Sequence, residues 1–215
     1  MVGGHRRPGR TGPGRLSSRR TVRSRTRARV VALAGDITDP AHRRALVAEA
    51  ERLGGLDLLV NNASRLGPSP QPNLSDYPPE ELRAVFEANV VAPTALTQLA
   101  SPLLRDSPNP RVVNVTSDAS VEAYDGWGGY GASKAALDHI SAVLAVEEPG
   151  IRVWAVDPGD MRTQMHQEAF PGEDISDRPL PEAVVPDLMA LLGSDRPSGR
   201  YRLADVALAG AEATR

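Results

Sequence analysis

The chain has 215 residues, 40% apolar and only 4% aromatic, with a formal net charge of −2. That length suits one domain of α/β size, with a core built from Ala, Val and Leu. The lack of Cys excludes disulfides and thiolate chemistry, and neither a membrane-spanning apolar stretch nor a secretory apolar core is visible, so a cytoplasmic protein is expected.

The near-neutral total conceals an asymmetry. Residues 1–29 hold ten Arg and no acidic residue, while the remainder holds 15 basic against 27 acidic residues. The two parts are read separately. Residues 1–29 combine Arg with Gly, Pro, Ser and Thr and show no helical or strand period. They contain too little apolar surface to offset chain entropy, so a disordered segment is expected there, and the folded domain over 30–210. Three readings of the segment stay open. An Arg-rich, acid-free leader resembles a transit peptide, although Gly and Pro spoil an amphipathic helix. An Arg arm could bind nucleic acid through phosphates, although no aromatic residues interleave for stacking. A start-site or reading-frame effect is the favoured reading.

From Val30 the pattern changes. Val30–Ala34 reads as a short buried strand. Gly35 to Pro40 turns the chain, with Asp39 or Thr38 as helix N-cap and Pro40 at the first helical position. Leu46, Val47, Ala50 and Leu53 recur at helical spacing over 41–53, and Gly54-Gly55 ends that helix. Leu56–Val60 is a second strand, followed by Asn61-Asn62-Ala63-Ser64 and a Pro-rich loop over 67–79. A long helix is expected over 80–105, with Leu82, Val85, Phe86, Val90, Leu96 and Leu99 inward and a kink at Pro93. Arg111–Val115 is a third strand, Tyr130–Val146 a strong helix and Ile151–Val156 a fourth strand. Residues 158–180 read as a long polar loop, 181–192 as a last helix and Tyr201–Leu203 as an edge strand. Short apolar strands alternating with helices indicate an α/β fold with a doubly wound parallel sheet. Function in such sheets gathers at the carboxyl ends of strands. Asp36, Asn61-Asn62, Thr116-Ser117 and Asp157-Pro158-Gly159 all fall there.

The chemistry starts from composition. The chain carries 24 Arg and one Lys, and that lysine, Lys134, stands four residues after Tyr130. A pair at i, i+4 shares a helix face, so the ammonium can draw the phenol pKa down from about 10. Arg cannot replace a compact, tunable charge. Ser117, thirteen residues before Tyr130, ends the third strand and can donate a hydroxyl hydrogen to a carbonyl. Thr116 and Ser120 are neighbours that could serve instead. Tyr124 is an alternative phenol, but Gly128 stands four residues beyond it. No side chain supplies a hydride, so a cofactor must. These requirements describe carbonyl reduction or alcohol oxidation. No metal site is expected: the four histidines are not spaced with carboxylates as a cluster.

At this point the chain resembles the short-chain dehydrogenase/reductase family. The matching pieces are Gly35-Asp36-Ile37-Thr38, Asn61-Asn62-Ala63-Ser64, Asn89, Val113-Asn114-Val115-Thr116-Ser117, Tyr130-Gly131-Ala132-Ser133-Lys134, and Pro158 to Thr163. They cover roughly residues 30–205 in the family's order and spacing. The resemblance implies a Rossmann-like sheet and NAD or NADP as cofactor. Tyr130 would be the acid/base. Lys134 would lower its pKa and bind the nicotinamide ribose. Ser117 would orient the substrate oxygen, and Asn89 would hold a water behind Lys134. Asp36 would contact the adenine, Asn61 and Ala63 would line the cofactor cleft, and Pro158, Gly159 and Thr163 would hold the nicotinamide end. Plainer roles stay open: Asp36 as a helix cap, Asn61-Asn62 as a turn, and Asn89 as a partner for backbone groups freed at Pro93. Trp127 reads equally as pocket wall or interface residue.

The family's glycine-rich phosphate loop has no counterpart. Thr11-Gly12-Pro13-Gly14 lacks the later glycines and a preceding strand, so the domain reads as truncated at its N-terminus relative to the family. The Leu56–Val60 strand would then show an apolar edge unless Val30–Ala34 closes against it. Besides a small carbonyl or alcohol substrate, the expected partners are further copies of the chain, as homodimer or homotetramer. The competing reading is a non-catalytic remnant acting through its long helices.

Overall fold

The structure is a computed structural model that describes residues 29–206. It divides into two units, one ending at Asp36 and one beginning at Ile37. In the first, Val30–Ala34 forms no strand; only Ala32 makes a β-bridge. None of these five residues is buried, so the apolar run lacks the two-sided cover that turns such runs into central strands.

The second unit opens with helix α1, Pro40–Leu53. Asp39 caps it by accepting the Ala41 N–H at 2.8 Å, and Gly54 ends it at φ 111°, a conformation glycine adopts without a Cβ penalty. Strand β1, Leu58–Asn61, follows. The expected long helix is three pieces: α2 (Pro79–Phe86), a π-helical turn (Glu87–Val91) and α3 (Ala92–Arg105). The break therefore precedes Pro93, which sits in the first turn of α3, where a missing N–H is tolerated. The buried face of α3 runs through Leu96, Thr97, Ala100, Ser101 and Leu104. Leu99 is 39% exposed, not inward as expected, because small and hydroxyl residues fill the face that apolar periodicity would give to leucine.

Strand β2 (Arg111–Val115), helix α4 (Gly128–Glu147) and strand β3 (Arg152–Asp157) lie within two residues of expectation. The segment 158–180 is not all loop. It contains α5, Gln164–Ala169, capped by Thr163, whose hydroxyl accepts the His166 N–H at 3.1 Å. Helix α6 (Val185–Leu192) and strand β4 (Gly199–Arg202) complete the described elements.

The four strands run parallel in the order β1-β2-β3-β4. Alternation sends Val113, Trp154 and Val156 to one face, against Leu188, Leu191 and Leu192 of α6. Val112 and Val153 face the other way, against Val47 of α1, Ala100 and Leu104 of α3 and Leu144 of α4. Helices thus cover both faces, and the strand ends carry the polar loops. Among the described residues no helix is long and apolar enough to cross a membrane.

The turn after β2 packs tightly on α4. A Cβ at Gly131 would lie 2.6 Å from the Ala119 carbonyl oxygen. Gly131→Ala is expected to lose about 1–3 kcal/mol in urea unfolding and to displace the turn that carries Ser117.

Candidate active site

A cleft of about 250 Å³ opens at the carboxyl ends of β2 and β3. Ser117, Tyr130, Lys134, Pro158, Gly159 and Thr163 all line it. The parallel register explains the gathering. Thr116 donates its N–H to the Val156 carbonyl at 2.8 Å, so the chain leaves both strands at the same level. Helix α4 then lays its first turns along that level.

Tyr130 is buried, at 8% exposure. Its phenol is pushed up to about 12, first by burial and then by the carboxylates of Asp118 and Asp157, while hydrogen bonds with Ser64 and Ser117 pull the other way. The expected depression by Lys134 is not found. The ammonium lies 5.5 Å from the centroid of the Tyr130 ring and donates to the Val115 carbonyl at 2.8 Å, so its nearest partner is not the phenol oxygen. Burial moves Lys134 in turn, down to about 8, with Asp138 opposing. The general rule decides both shifts: removing a group from water disfavours its charged form.

Ser117 caps the short turn Asp118–Ser120. Its hydroxyl donates to Asp118 Oδ1 at 2.8 Å and accepts the Ala119 N–H at 3.2 Å. Its single hydrogen therefore serves either Asp118 or a substrate oxygen. Asn89 lies in the π-helical turn at 1% exposure. Its Oδ1 accepts the Arg65 N–H at 2.7 Å, and its Nδ2 donates to the Arg65 carbonyl and to Ser133 Oγ, both at 2.9 Å. It thus ties the loop after β1 to α4 beside Lys134. These bonds do not serve the backbone at Pro93.

Asn61 and Ala63 do not line the cleft. Asn61 turns the other way, donating to Asn114 Oδ1 at 2.7 Å and to Thr97 Oγ1 at 3.2 Å. Asn114 in turn donates to Ser141 Oγ at 2.7 Å, which makes a buried network joining β1, β2, α3 and α4. Strand alternation is the reason: Asn61 is still in β1, and Asn62 and Ser64 reach the cleft instead. Asp36 belongs to the first unit. Trp127 is a wall of the cleft, 5.7 Å from Tyr130 in an edge-on arrangement. Tyr124 is exposed and donates to Asp118 at 2.9 Å, and its pKa is raised by that bond.

Two residues with no role of their own in the sequence motifs complete the site. Asp157, at 2% exposure, accepts the Gly159 N–H at 2.9 Å and so shapes the Pro158-Gly159 turn. Arg200 of β4 donates Nη2 to the Ser117 carbonyl at 2.9 Å and to Asp157 at 3.2 Å, and Nε to Asp138 at 3.1 Å. One guanidinium therefore anchors both loops of the cleft. Asp157 is part of a strand-end cluster legible in the sequence, which assigns it no individual role. Arg200 gave no signal in a chain of 24 arginines.

A family model described as short chain dehydrogenase matches residues 16–174. The chain belongs to the short-chain dehydrogenase family. The match begins earlier than the motifs, within the Arg-rich segment. Among family relatives, benzil reductase ((S)-benzoin forming) of Saccharomyces cerevisiae is 40% identical over 139 residues, 62% of this chain and 53% of that protein. Sepiapterin reductase of Meriones unguiculatus is 36% identical over 148 residues, 66% of this chain and 56% of that one. The chain spans about half the length of the curated relatives it matches. Among solved structures, a short chain dehydrogenase from Pseudomonas syringae superposes with a TM-score of 0.74 at 30% identity, covering 80% of this chain and 72% of that one. One from Shigella flexneri complexed with NADP gives 0.72 at 31% identity, covering 78% and 72%. The family and its Rossmann-like α/β fold, with a parallel sheet of four strands here, follow from these matches and the topology.

Proposed function

We propose that this chain is an NAD(P)-dependent oxidoreductase that reduces a carbonyl compound or oxidises the matching alcohol. The observation that carries the reading is one cleft at the strand ends that holds a buried Tyr130, a buried Lys134 and the hydroxyl of Ser117. Two relatives named as reductases and a structure with NADP support it.

The cleft fits the nicotinamide end of a dinucleotide. Thr116 Oγ1 is buried there without a hydrogen-bond partner, and a buried hydroxyl gains when a polar ligand meets it. A Cβ at Gly159 would meet nothing within 4 Å, so the turn leaves open space. Thr116, Lys134, Pro158, Gly159 and Thr163 would hold that end. The assignment of Asp36 to the adenine belongs to the same proposal, while Asn61 braces the strand behind the cleft and Asn62 and Ser64 take the place of Asn61 and Ala63 along it. The Thr11–Gly14 segment lies outside the described residues.

Bound there, a reduced nicotinamide supplies the hydride. The chain handles the proton. Tyr130 gives its hydroxyl hydrogen to the substrate oxygen, Ser117 holds that oxygen in place, and Lys134 stabilises the phenolate left behind. Asn89 keeps the loop carrying Ser64 against α4, so the groups around Tyr130 stay in register. Copies of the chain would associate through α3 and α4, where a groove of about 390 Å³ runs beside exposed Val143.

Titration of the purified chain with NADPH and with NADH, followed by calorimetry, tests the reading. Saturable binding of either is expected. No binding of either up to about 1 mM would overturn it in favour of a non-catalytic remnant. A second expectation concerns pH. In the free enzyme Tyr130 stays protonated well above neutrality, whereas Lys134 loses its charge near 8. Because kcat/KM reports the free enzyme, carbonyl reduction should hold steady below about pH 8 and fall above it. Lys134→Arg, which keeps its charge, should remove that limb at a lower overall rate.

A further inference from the structure

We infer that Asp138, one helical turn beyond Lys134, is a positioning residue of the cleft: its carboxylate, held by Arg200 and Ser120, keeps the buried lysine charged and so ready to stabilise the phenolate of Tyr130. The inference rests on the oxidoreductase reading above and adds a residue to its machinery.

Lys134 and Asp138 stand at i, i+4 on α4 and share a face. Long side chains on a helix run back toward its N-terminus. The ammonium therefore reaches the Val115 carbonyl, at 2.8 Å, with the carboxylate following behind it. Asp138 Oδ2 accepts from Ser120 Oγ at 2.6 Å and from Arg200 Nε at 3.1 Å. Its Oδ1 is buried without a hydrogen-bond partner. Two donors thus fix the side chain by one oxygen and leave the other uncommitted. Charge on that oxygen is screened neither by water nor by a bonded donor, so its field reaches the buried ammonium.

Lys134 is 2% exposed, and burial drives an ammonium toward its neutral form. A neutral lysine could not stabilise a phenolate. The other charges around the cleft are already matched. Asp157 meets Arg200 at 3.2 Å and Arg202 at 3.9 Å. Asp160 lies 3.7 Å from Arg178 and 3.9 Å from His166. Asp118 accepts from Ser117, Tyr124 and the Ala119 N–H, and it lies in the field of Arg202. In the loop after β1, Arg65 pairs with Glu81 at 2.8 Å. The Tyr130 phenol stays neutral well above pH 7 and brings no charge. Asn89 brings none either, and its amide hydrogens and carbonyl oxygen are all engaged. Among the described residues, Asp138 is the carboxylate that opposes burial at Lys134.

Lys134 is the single lysine of the chain, so its titration is read directly. Lysine labelled isotopically at Cε gives one side-chain resonance in NMR spectra of the full chain. Its chemical shift against pH marks the loss of charge without any turnover. The midpoint, about 8 in the unaltered chain, should fall by about one pH unit in Asp138→Asn. Asp138→Ser, a second neutral replacement, should act in the same direction, and Asp138→Glu should hold the midpoint near its original value. In turnover of 1-phenyl-1,2-propanedione with NADPH, kcat/KM of Asp138→Asn should drop about fivefold at pH 8 and change little at pH 6. A merely structural loss would lower both alike. A midpoint that Asp138→Asn and Asp138→Ser leave unmoved or raise overturns the inference, and so does an equal fall in Asp138→Glu. A lowered midpoint in a chain that binds neither NADPH nor NADH supports Asp138 as the keeper of the charge and overturns the oxidoreductase reading alone.

Discussion

Tyr130→Phe is expected to lower kcat for carbonyl reduction by about 10²–10⁴-fold, the range set by loss of a positioned general acid. The substitution removes one oxygen and keeps the ring, so the packing with Leu66, Ala119 and Trp127 persists. The hydroxyl loses its hydrogen bonds with Ser64 and Ser117, both of which keep other partners. Affinity for NADPH should therefore stay within about threefold, so the loss appears in the chemical step and not in binding. Steady-state kinetics beside a calorimetric titration separates the two. If kcat is unchanged, Tyr130 is not the acid. If affinity collapses along with kcat, its role is to hold the dinucleotide.

Arg200→Leu is expected to destabilise the chain by about 3 kcal/mol, the low end of the cost of breaking a buried ion pair, because Asp157 would keep only the more distant Arg202, at 3.9 Å. Asp157 is 2% exposed and Asp138 is close behind Lys134, and Arg200 serves both. The same change frees the Ser117 carbonyl, so the loop that positions the serine should loosen with the sheet edge. Urea unfolding of the single variant and of Arg200→Leu with Asp157→Asn checks the cause. The double variant should recover part of the loss, because the under-compensated buried charge is gone. Strictly additive losses would show that Arg200 acts through packing alone.

Much of the fold was legible because local signals agreed with one another. Asp39 before Pro40 and Gly54 after Leu53 bracket α1, and the alternation of apolar and polar runs places β2, α4 and β3 within two residues. Elements whose stability is not local were not legible. The π-helical turn at Glu87–Val91 has no sequence period of its own, and α5 is a six-residue helix held by one threonine cap. Val30–Ala34 shows the opposite failure, an apolar run without burial to make it a strand.

The candidate site divides along the same line. Which groups meet follows from spacing: Ser117, Tyr130 and Lys134 are set by it and by the strand and helix they end or begin. Their electrical state and their supports come from packing in three dimensions. Burial, which no spacing reveals, pushes the phenol up and the ammonium down. The one-residue alternation at the end of β1 sends Asn61 into the network with Asn114 and Asn62 into the cleft. Arg200 reaches Ser117 and Asp157 because parallel strands bring β4 beside β3, across a sequence separation over which composition and motif say nothing.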